Sequence, residues 1–307
     1  MKHQLRAGVA GGGVFGGFHA RKYAALDGVT LKAVFDPDEA RAHALADQLG
    51  AESFARFEPF LTGIDVLTVA SPATTHADLA KAALAAGIHV YVEKPLAVTR
   101  VDAQTLIAAA ADNQRVLSCG HQERVVFGAM GLLGGSEPPL RLQAVRRGTF
   151  SGRAMDVSCV LDLMVHDLDL ALMLTSAHAV DVRASGRRLH GELFDEVTTQ
   201  ITFDDGFVVE LEASRAAQKR ERTMRVVYSS GELQIDFLER TFRNTTALTL
   251  NRDFADTPEG RDPLGANVSA FLAAVRGDAL RPLVTGEEAA RALDLALRVE
   301  EAAGQTH

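Results

Sequence analysis

Near its start the chain runs through Leu5-Arg-Ala-Gly-Val-Ala-Gly-Gly-Gly-Val-Phe-Gly16, a short apolar strand pattern that leads directly into a glycine-rich loop. The spacing Gly11-x-Gly13-x-x-Gly16, between a strand and an amphipathic stretch, is typical of a dinucleotide-binding loop. Its glycines permit a tight turn and a close approach of the backbone to a pyrophosphate at the helix N-terminus. The stretch therefore predicts a strand, a phosphate-binding turn and a helix, in that order.

A carboxylate at the end of the next predicted strand strengthens this interpretation. Asp36 lies 20 residues after Gly16 and directly follows the strand pattern 30–35. There it can accept hydrogen bonds from ribose hydroxyls, and its charge would repel a 2′-phosphate. We therefore predict NAD as the cofactor, held by Asp36 and by the loop that includes Val14 and Phe15.

Strand and helix patterns alternate throughout the first third of the chain. Such repeated units predict a doubly wound parallel sheet that binds its ligands at the carboxyl ends of the strands. In the second half, alternating runs meet at the hairpin turns Asp204-Asp-Gly206 and Ser229-Ser-Gly231, which predicts an open, mostly antiparallel sheet. We expect an α/β protein with a Rossmann domain at 1–120 and a substrate-binding domain at 121–307, the last helix being free to pack back on the first domain.

Polar residues follow two further predicted strands of the parallel sheet. The candidates for the cofactor site there are Ser71, Pro72, His76, Glu93 and Lys94. A lysine at such a strand end can place a cation against a developing alkoxide. The alternatives are a solvent-facing histidine at a helix start and a surface lysine before a proline, and Pro95 makes a cis peptide bond possible.

Two stretches match the capping box, in which a threonine and an acidic residue three positions later close the first turn of a helix. They are Thr75 with Asp78 and Thr285 with Glu288. We predict that helices begin at both threonines.

The segment Val160–Leu174 reads as a helix that is apolar on nearly every side, which is typical of a buried helix. It nevertheless carries Asp162, His166 and Asp169, whose i, i+4, i+7 spacing puts them on one face of an α-helix. Buried ionisable groups are costly unless they are paired or functional. An Asp–His pair suits proton transfer, because the carboxylate orients the imidazole and stabilises its charged form. A core histidine with solvated aspartates is the alternative.

Together these motifs resemble those of the Gfo/Idh/MocA family of oxidoreductases. The resemblance covers essentially the whole chain and rests on the glycine loop with His19, Asp36, Ser71-Pro72-x-x-x-His76, Glu93-Lys94-Pro95 and Asp162-x-x-x-His166. One departure is Ser158-Cys-Val160, where many members have a glycine-rich run. That departure bears on the shape of the loop, and so on the substrate, more than on the chemistry.

The resemblance implies hydride transfer between a nicotinamide cofactor and a secondary hydroxyl of a sugar or polyol, without a metal. It also implies assembly as a homodimer or homotetramer through the second sheet. Lys94 and His166 would flank the reacting hydroxyl, with Asp162 assisting, and the roles of Lys94 and His166 could be exchanged. The alternatives are a free sugar or inositol-type polyol dehydrogenase, an NAD-dependent glycosidase and a non-catalytic sensor of dinucleotide or sugar.

Basic residues in the second half of the chain bear on the substrate class. One cluster precedes the 160–174 helix, and the other comprises Arg215, Lys219, Arg220 and Arg222. Because arginine binds phosphate through two parallel hydrogen bonds, a nucleotide sugar would give these residues a role. The candidates for substrate binding are Arg124, Arg147, Arg153 and Arg215, with a solvated charged surface as the alternative. The sequence around them is similar to a family branch that includes UDP-N-acetylglucosamine 3-dehydrogenases, which favours oxidation at C3 of such a sugar.

The composition excludes several other classes of protein. A net charge of −8 and a pI near 5.7 argue against general nucleic-acid binding. No apolar run reaches the length needed to span a membrane. Cys119 and Cys159 have no metal-site spacing and suggest a reducing compartment. We expect a cytoplasmic enzyme without a membrane or nucleic-acid partner.

Overall fold

In a computed structural model of the protein, the described residues are 4–135 and 137–305, and they divide into two compact units. The first unit contains the chain as far as His121 together with Leu264–Ala290. The second contains Gln122–Pro263 and the chain from Arg291 onward. None of the helices in these ranges combines the length and the apolar character needed to cross a bilayer.

The described residues of the first unit form a six-stranded sheet in which all neighbouring strands are parallel. Its strands are β1 (Leu5–Ala10), β2 (Val29–Phe35), β3 (Glu52–Phe54), β4 (Val66–Val69), β5 (His89–Val92) and β6 (Leu117–Cys119). Their order is β3-β2-β1-β4-β5-β6, which is the Rossmann order. The predicted doubly wound sheet is therefore confirmed, and the strand order reverses between β1 and β4, beside the glycine loop.

The helices of this unit are α1 (Val14–Ala25), α2 (Glu39–Leu49), α3 (Phe57–Phe60), α4 (His76–Ala85), α5 (Arg100–Asp112) and, from late in the chain, α9 (Pro263–Arg276). From α9, Val268, Phe271 and Leu272 join the same hydrophobic core as β1 and β2. The Asn267 amide also donates a hydrogen bond to the Tyr91 hydroxyl at 3.0 Å. A late segment thus completes the core of the first unit, which the local sequence pattern does not indicate.

The two capping-box predictions had opposite outcomes. At Thr285 and Glu288 both reciprocal backbone-to-side-chain hydrogen bonds are present, at 3.1 and 3.3 Å. At Thr75 the prediction was wrong, because this residue ends a 3₁₀ turn and has helical backbone angles. Its hydroxyl donates to the Pro72 carbonyl at 2.8 Å instead, so helix α4 begins at His76 without a side-chain cap.

The described residues of the second unit form a seven-stranded mixed sheet in the order β13-β12-β11-β7-β10-β9-β8. Its strands are β7 (Arg141–Arg147), β8 (Ala179–Arg187), β9 (Glu196–Phe203), β10 (Val208–Ser214), β11 (Glu221–Tyr228), β12 (Gly231–Asp236) and β13 (Thr241–Asn244). Only β7 and β10 pair in parallel within these residues, which confirms the mostly antiparallel sheet and both predicted hairpins. The sequence did not reveal the outermost strands β8 and β13, because they alternate between exposed and half-buried residues.

The remaining helices are α6 (Glu123–Met130), α7 (Val165–Leu174), α8 (Pro258–Arg261) and α10 (Gly286–Gln305). A π-helical turn over Val160–Met164 precedes α7, so the predicted helix is present but is not a single α-helix. This turn matters for the candidate site, because π turns change which side chains share a face and often occur at functional sites.

We predict that the stability of the first unit depends on pH through His89. The Val116 N–H donates to Nδ1 at 2.9 Å, and Nη1 of Arg115 lies 3.2 Å from Nε2. Burial and the charge of Arg115 lower the pKa of His89 to about 4. The unfolded chain therefore binds more protons between pH 6.5 and 4, and the free energy of unfolding falls as the pH falls through that window.

Urea unfolding at several pH values between 7 and 4 tests this prediction. His89→Gln should show a shallower loss of stability, by on the order of 1 kcal/mol after allowing for solvent screening of a partly exposed ring. The control variant His43→Gln, at an exposed position on α2, should follow the wild type. Equal slopes for His89→Gln and the wild type would contradict the assignment.

Candidate active site

The glycines of the loop after β1 are required for different reasons. Gly11 has a φ of +110°, and a Cβ there would lie 2.6 Å from the Ala70 carbonyl oxygen. A Cβ on Gly16 would lie 1.7 Å from the Gly11 carbonyl oxygen. A Cβ on Gly13 would meet no atom within 4 Å, and Gly13 is the N-cap of α1 with ordinary backbone angles. The packing of the protein therefore does not require glycine at position 13, whereas a pyrophosphate at this helix N-terminus would.

Asp36 lies at the end of β2 and is 5% exposed. Its carboxylate accepts hydrogen bonds from the Gly12 N–H at 2.8 Å and the Asp38 N–H at 2.9 Å. Nη1 of Arg41 lies 3.6 Å away. Each carboxylate oxygen keeps a lone pair for a ribose hydroxyl, so the residues present fit an adenosine ribose. The first residues of α1 in the loop, Val14 and Phe15, are 53% and 42% exposed and open to a ligand.

His76 is buried between two loops of the first unit. Its Nδ1 lies 2.8 Å from the Pro95 carbonyl and its Nε2 lies 3.0 Å from the Ser71 carbonyl. Only the protonated ring can donate to both oxygens, since a neutral imidazole has a single N–H. His76 therefore joins the segment after β4 to the segment after β5, where the Lys94–Pro95 peptide bond is cis. The interpretation as a solvent-facing residue is wrong, and contact of His76 with the cofactor stays a prediction.

Glu93 and Lys94 follow β5. The Glu93 carboxylate lies 2.7 Å from Nε2 of the fully buried His19, and a Cβ on Gly120 would lie 2.6 Å from Glu93 Oε2. Burial by itself would raise the pKa of Glu93, but the hydrogen bond and charge of His19 hold it below the usual range. Glu93 is thus an ionised, buried group that braces the backbone of the half-buried Lys94.

The aspartates of α7 are buried and paired with arginines. The guanidinium of Arg124 donates to both oxygens of Asp169, at 2.8 and 2.6 Å. The guanidinium of Arg146 donates to both oxygens of Asp167, at 2.9 and 2.8 Å. The alternative of solvated aspartates is therefore wrong for these two residues, because burying a carboxylate requires a nearby opposite charge.

His166 lies on the same helix and contacts a carboxylate that the sequence analysis missed. Its Nδ1 is 2.6 Å from Glu123 Oε2, an ion-pair contact although the ring N–H is not aligned on the oxygen as in a regular hydrogen bond. Burial would raise the pKa of Glu123, but the charges of His166 and Arg146 hold it well below its usual range. No spacing rule could have revealed this pair, since 43 residues separate Glu123 from His166.

Asp162 lies in the π-helical turn and is half-buried. The expected α-helical spacing from Asp162 to His166 is wrong, since the N–H of Val165 bonds to the carbonyl of Val160, five residues earlier. Assistance of His166 by Asp162 stays a prediction.

The structure places the candidate substrate arginines in three kinds of environment. Arg124 is 1% exposed, and Arg215 binds Asp195 and the carbonyls of Ala154 and Val157, so neither is accessible to a diphosphate. Their predicted role in substrate binding is not supported, because their donors satisfy buried acceptors. Arg147 is half-buried and pairs with carboxylates of neighbouring strands, and Arg153 is exposed.

Arg222 differs from these residues. It lies on β11 directly opposite Arg146 of β7, so both side chains point to the same face of the sheet. Burial and the charge of Arg146 lower the pKa of Arg222. Within the described residues, its guanidinium has no carboxylate at ion-pair distance. Arg222 is thus a half-buried cation available to an anionic ligand.

Comparison with known proteins follows the same division of the chain. Residues 5–121 match the model of the oxidoreductase family with an NAD-binding Rossmann fold, and residues 140–234 match the GFO/IDH/MocA C-terminal domain. The chain therefore belongs to the Gfo/Idh/MocA oxidoreductase family, and its first unit contains an NAD-binding Rossmann domain. The resemblance inferred from the motifs is confirmed.

Among individual proteins, the chain is 35% identical to UDP-N-acetylglucosamine 3-dehydrogenase of Acidithiobacillus ferrooxidans, over 97% of each chain. The solved structure of that enzyme matches with a TM-score of 0.87 over 98% of each chain. The scyllo-inositol 2-dehydrogenase (NAD(+)) of Bacillus subtilis is 27% identical over 71% of this chain and 69% of its own. The WlbA dehydrogenase of Bordetella pertussis, solved with NADH and UDP-GlcNAcA, shares the fold at 17% identity, with a TM-score of 0.86 over 100% of this chain and 97% of its own.

We predict that Gly13→Ala weakens NAD binding without unfolding the protein. An alanine Cβ fits the open space at this position and suits the backbone angles, but it would occupy the place of the pyrophosphate. The dissociation constant for NADH, read from its fluorescence in this tryptophan-free chain, should rise roughly ten-fold or more.

The free energy of unfolding of Gly13→Ala should stay within about 1 kcal/mol of the wild type. Gly304→Ala is the matched control, because a Cβ there also meets nothing within 4 Å. An unchanged NADH affinity in Gly13→Ala would contradict the assigned place of the pyrophosphate.

Proposed function

We propose that this enzyme oxidises the C3 hydroxyl of a nucleotide sugar, UDP-N-acetylglucosamine or a close analogue, with NAD as the hydride acceptor. The observation that carries this proposal is the similarity over the full chain to the UDP-N-acetylglucosamine 3-dehydrogenase of Acidithiobacillus ferrooxidans. The proposal is also consistent with a half-buried arginine that has no carboxylate partner, since a diphosphate would supply one.

In the proposed reaction His166 accepts the proton of the sugar hydroxyl, and Lys94 stabilises the negative charge that develops on the oxygen. Bound NAD would accept the hydride from the sugar carbon, which leaves a ketone. Gly11, Gly13 and Gly16 would hold its pyrophosphate, and Asp36 its adenosine ribose. The exchange of the roles of His166 and Lys94 is the alternative.

We propose Arg222 and Arg153 as ligands of the substrate diphosphate. Arg222 has the stronger case because it is half-buried and projects from the face of the sheet that also carries Arg146. Arg147 remains a weaker candidate, since Glu212 and Glu221 already accept its hydrogen bonds.

A second candidate function is oxidation of a free polyol. The similarity to scyllo-inositol 2-dehydrogenase favours it, and the same glycine loop and Asp36 would serve. The NAD-dependent glycosidase reading predicts cofactor that co-purifies with the protein and no net release of NADH. The sensor reading leaves the ionised Glu123 beside His166 without a purpose.

We propose further that the enzyme works in the cytoplasm as a homodimer or homotetramer. Buried thiols at Cys119 and Cys159 are consistent with a reducing compartment. For assembly, one face of the second sheet presents exposed side chains at alternate positions of neighbouring strands, among them Gln200, Arg225 and Gln234.

NADH formation from NAD⁺ tests the proposed reaction. UDP-N-acetylglucosamine should give a signal, whereas free N-acetylglucosamine and myo-inositol should not. Hydrazine should be present to trap the ketone, because oxidation of a secondary sugar alcohol by NAD⁺ is unfavourable. His166→Ala should abolish turnover and leave NADH affinity unchanged. A signal with myo-inositol alone would replace the proposal by polyol oxidation.

We predict that Arg222→Gln raises the KM for the nucleotide sugar roughly ten-fold and leaves the KM for NAD unchanged, because a single charge-assisted contact to phosphate is lost. Steady-state kinetics measure both constants. Arg252→Gln, at an exposed position of the same unit, is the control and should behave as the wild type. Equal KM values for Arg222→Gln and the wild type would exclude Arg222 from the substrate site.

A further inference from the structure

Glu123 is the first residue of α6, and its carboxylate contacts groups from two other elements of the second unit. Oε1 accepts a hydrogen bond from Nη1 of Arg146 on β7 at 3.0 Å. Oε2 lies 2.6 Å from Nδ1 of His166 on α7. The side chain is 12% exposed, and neither Oε2 nor His166 Nδ1 is accessible to solvent. One buried carboxylate therefore connects a fixed cation with the proposed proton acceptor.

The position of this carboxylate determines which ring nitrogen carries the proton. An ionised carboxylate only accepts hydrogen bonds, so the neutral His166 ring is best placed with its proton on Nδ1. The lone pair then lies on Nε2. Because the side chain of His166 is 10% exposed while Nδ1 is shielded, the exposed part of the ring is not Nδ1. The ring is thus arranged to accept a proton at Nε2.

The surrounding charges keep Glu123 ionised. Arg146 binds Asp167 through two hydrogen bonds and Glu123 through a third, so its position does not depend on Glu123 alone. Arg222 of β11 lies beside Arg146 and adds a second positive charge. Asp162, in the turn before α7, is the remaining carboxylate that flanks His166 in the sequence. The two arginines hold the pKa of Glu123 down and thereby maintain a negative charge at Nδ1.

We infer that Glu123 is the positioning residue of His166: it keeps the proton on Nδ1, leaves Nε2 as the base and stabilises the imidazolium that forms when the ring takes up the hydroxyl proton. The catalytic consequence rests on the proposed dehydrogenase function, whereas the effect on the ring does not. The contact need not be fully aligned before substrate binds, since catalytic hydrogen bonds often tighten only in the substrate complex.

NMR of the full-length protein labelled with ¹⁵N-histidine tests the effect on the ring without any substrate. The signals of His166 among the 10 histidines are identified by their absence from His166→Asn. The wild type should show the proton on Nδ1 in the neutral ring. In Glu123→Gln the titration midpoint of His166 should fall by about one pH unit, because the carboxylate no longer stabilises the imidazolium. A proton on Nε2 in the wild type, or an unchanged midpoint in Glu123→Gln, would overturn the inference.

Kinetics test the catalytic consequence. Glu123→Gln should lower kcat roughly a hundred-fold, with the KM for NAD unchanged, and should move the acidic limb of the kcat–pH profile about one unit lower. Glu123→Asp keeps the charge and should keep the limb near its wild-type position. Asp169→Asn is the matched control, because it breaks the other buried ion pair between α6 and α7. It should lower stability without moving the limb.

The two experiments separate the possible failures. If the wild type oxidises none of the sugars while the NMR results are as expected, the proposed function fails and the positioning of His166 stands. If the wild type is active but Asp169→Asn moves the limb as far as Glu123→Gln does, Glu123 acts only through the packing of α6 against α7. That result would overturn the inference.

Discussion

The second unit depends on the neutralisation of the charges that α7 buries. Asp167 and Asp169 are 3% and 1% exposed, and a carboxylate in such surroundings is tolerated only beside a matching cation. Arg124 from α6 and Arg146 from β7 meet this requirement, each through two parallel hydrogen bonds. Because these bonds are directional, they restrict both the rotation of α7 about its axis and its position on the sheet. The orientation of the His166 ring follows from this arrangement.

A similar principle operates in the first unit, where buried histidines brace the loops at the carboxyl ends of the strands. His19 pairs with Glu93, and His76 lies between the carbonyls of Ser71 and Pro95. Buried polar groups of this kind satisfy backbone acceptors that would otherwise be costly to bury. In both units, therefore, residues of functional type mostly hold the scaffold, and only a few remain available to ligands.

This distinction explains why the glycine loop was predictable from the sequence and the substrate site was not. A glycine loop is local, so its spacing, the strand before it and the carboxylate 20 residues later identify it from one dimension. A cluster of arginines has no such rule. Arg124 and Arg222 look equivalent in the sequence, yet one is buried against Asp169 and the other has no carboxylate within ion-pair distance in the described residues. The capping boxes at Thr75 and Thr285 differ for the same reason, because the chain before each threonine decides its backbone angles.

The sequence by itself determined the parallel sheet with its NAD loop, the antiparallel hairpins and the importance of the helix that carries His166, because periodicity and turn residues act over short distances. Only the tertiary structure decided the partners of the buried charges. Glu123 and His166 are far apart in the chain and meet because α6 and α7 contact each other. The π turn before α7 also removed the expected alignment of Asp162 with His166. Pairing across the fold depends on packing, and packing is not encoded in any local spacing of residues.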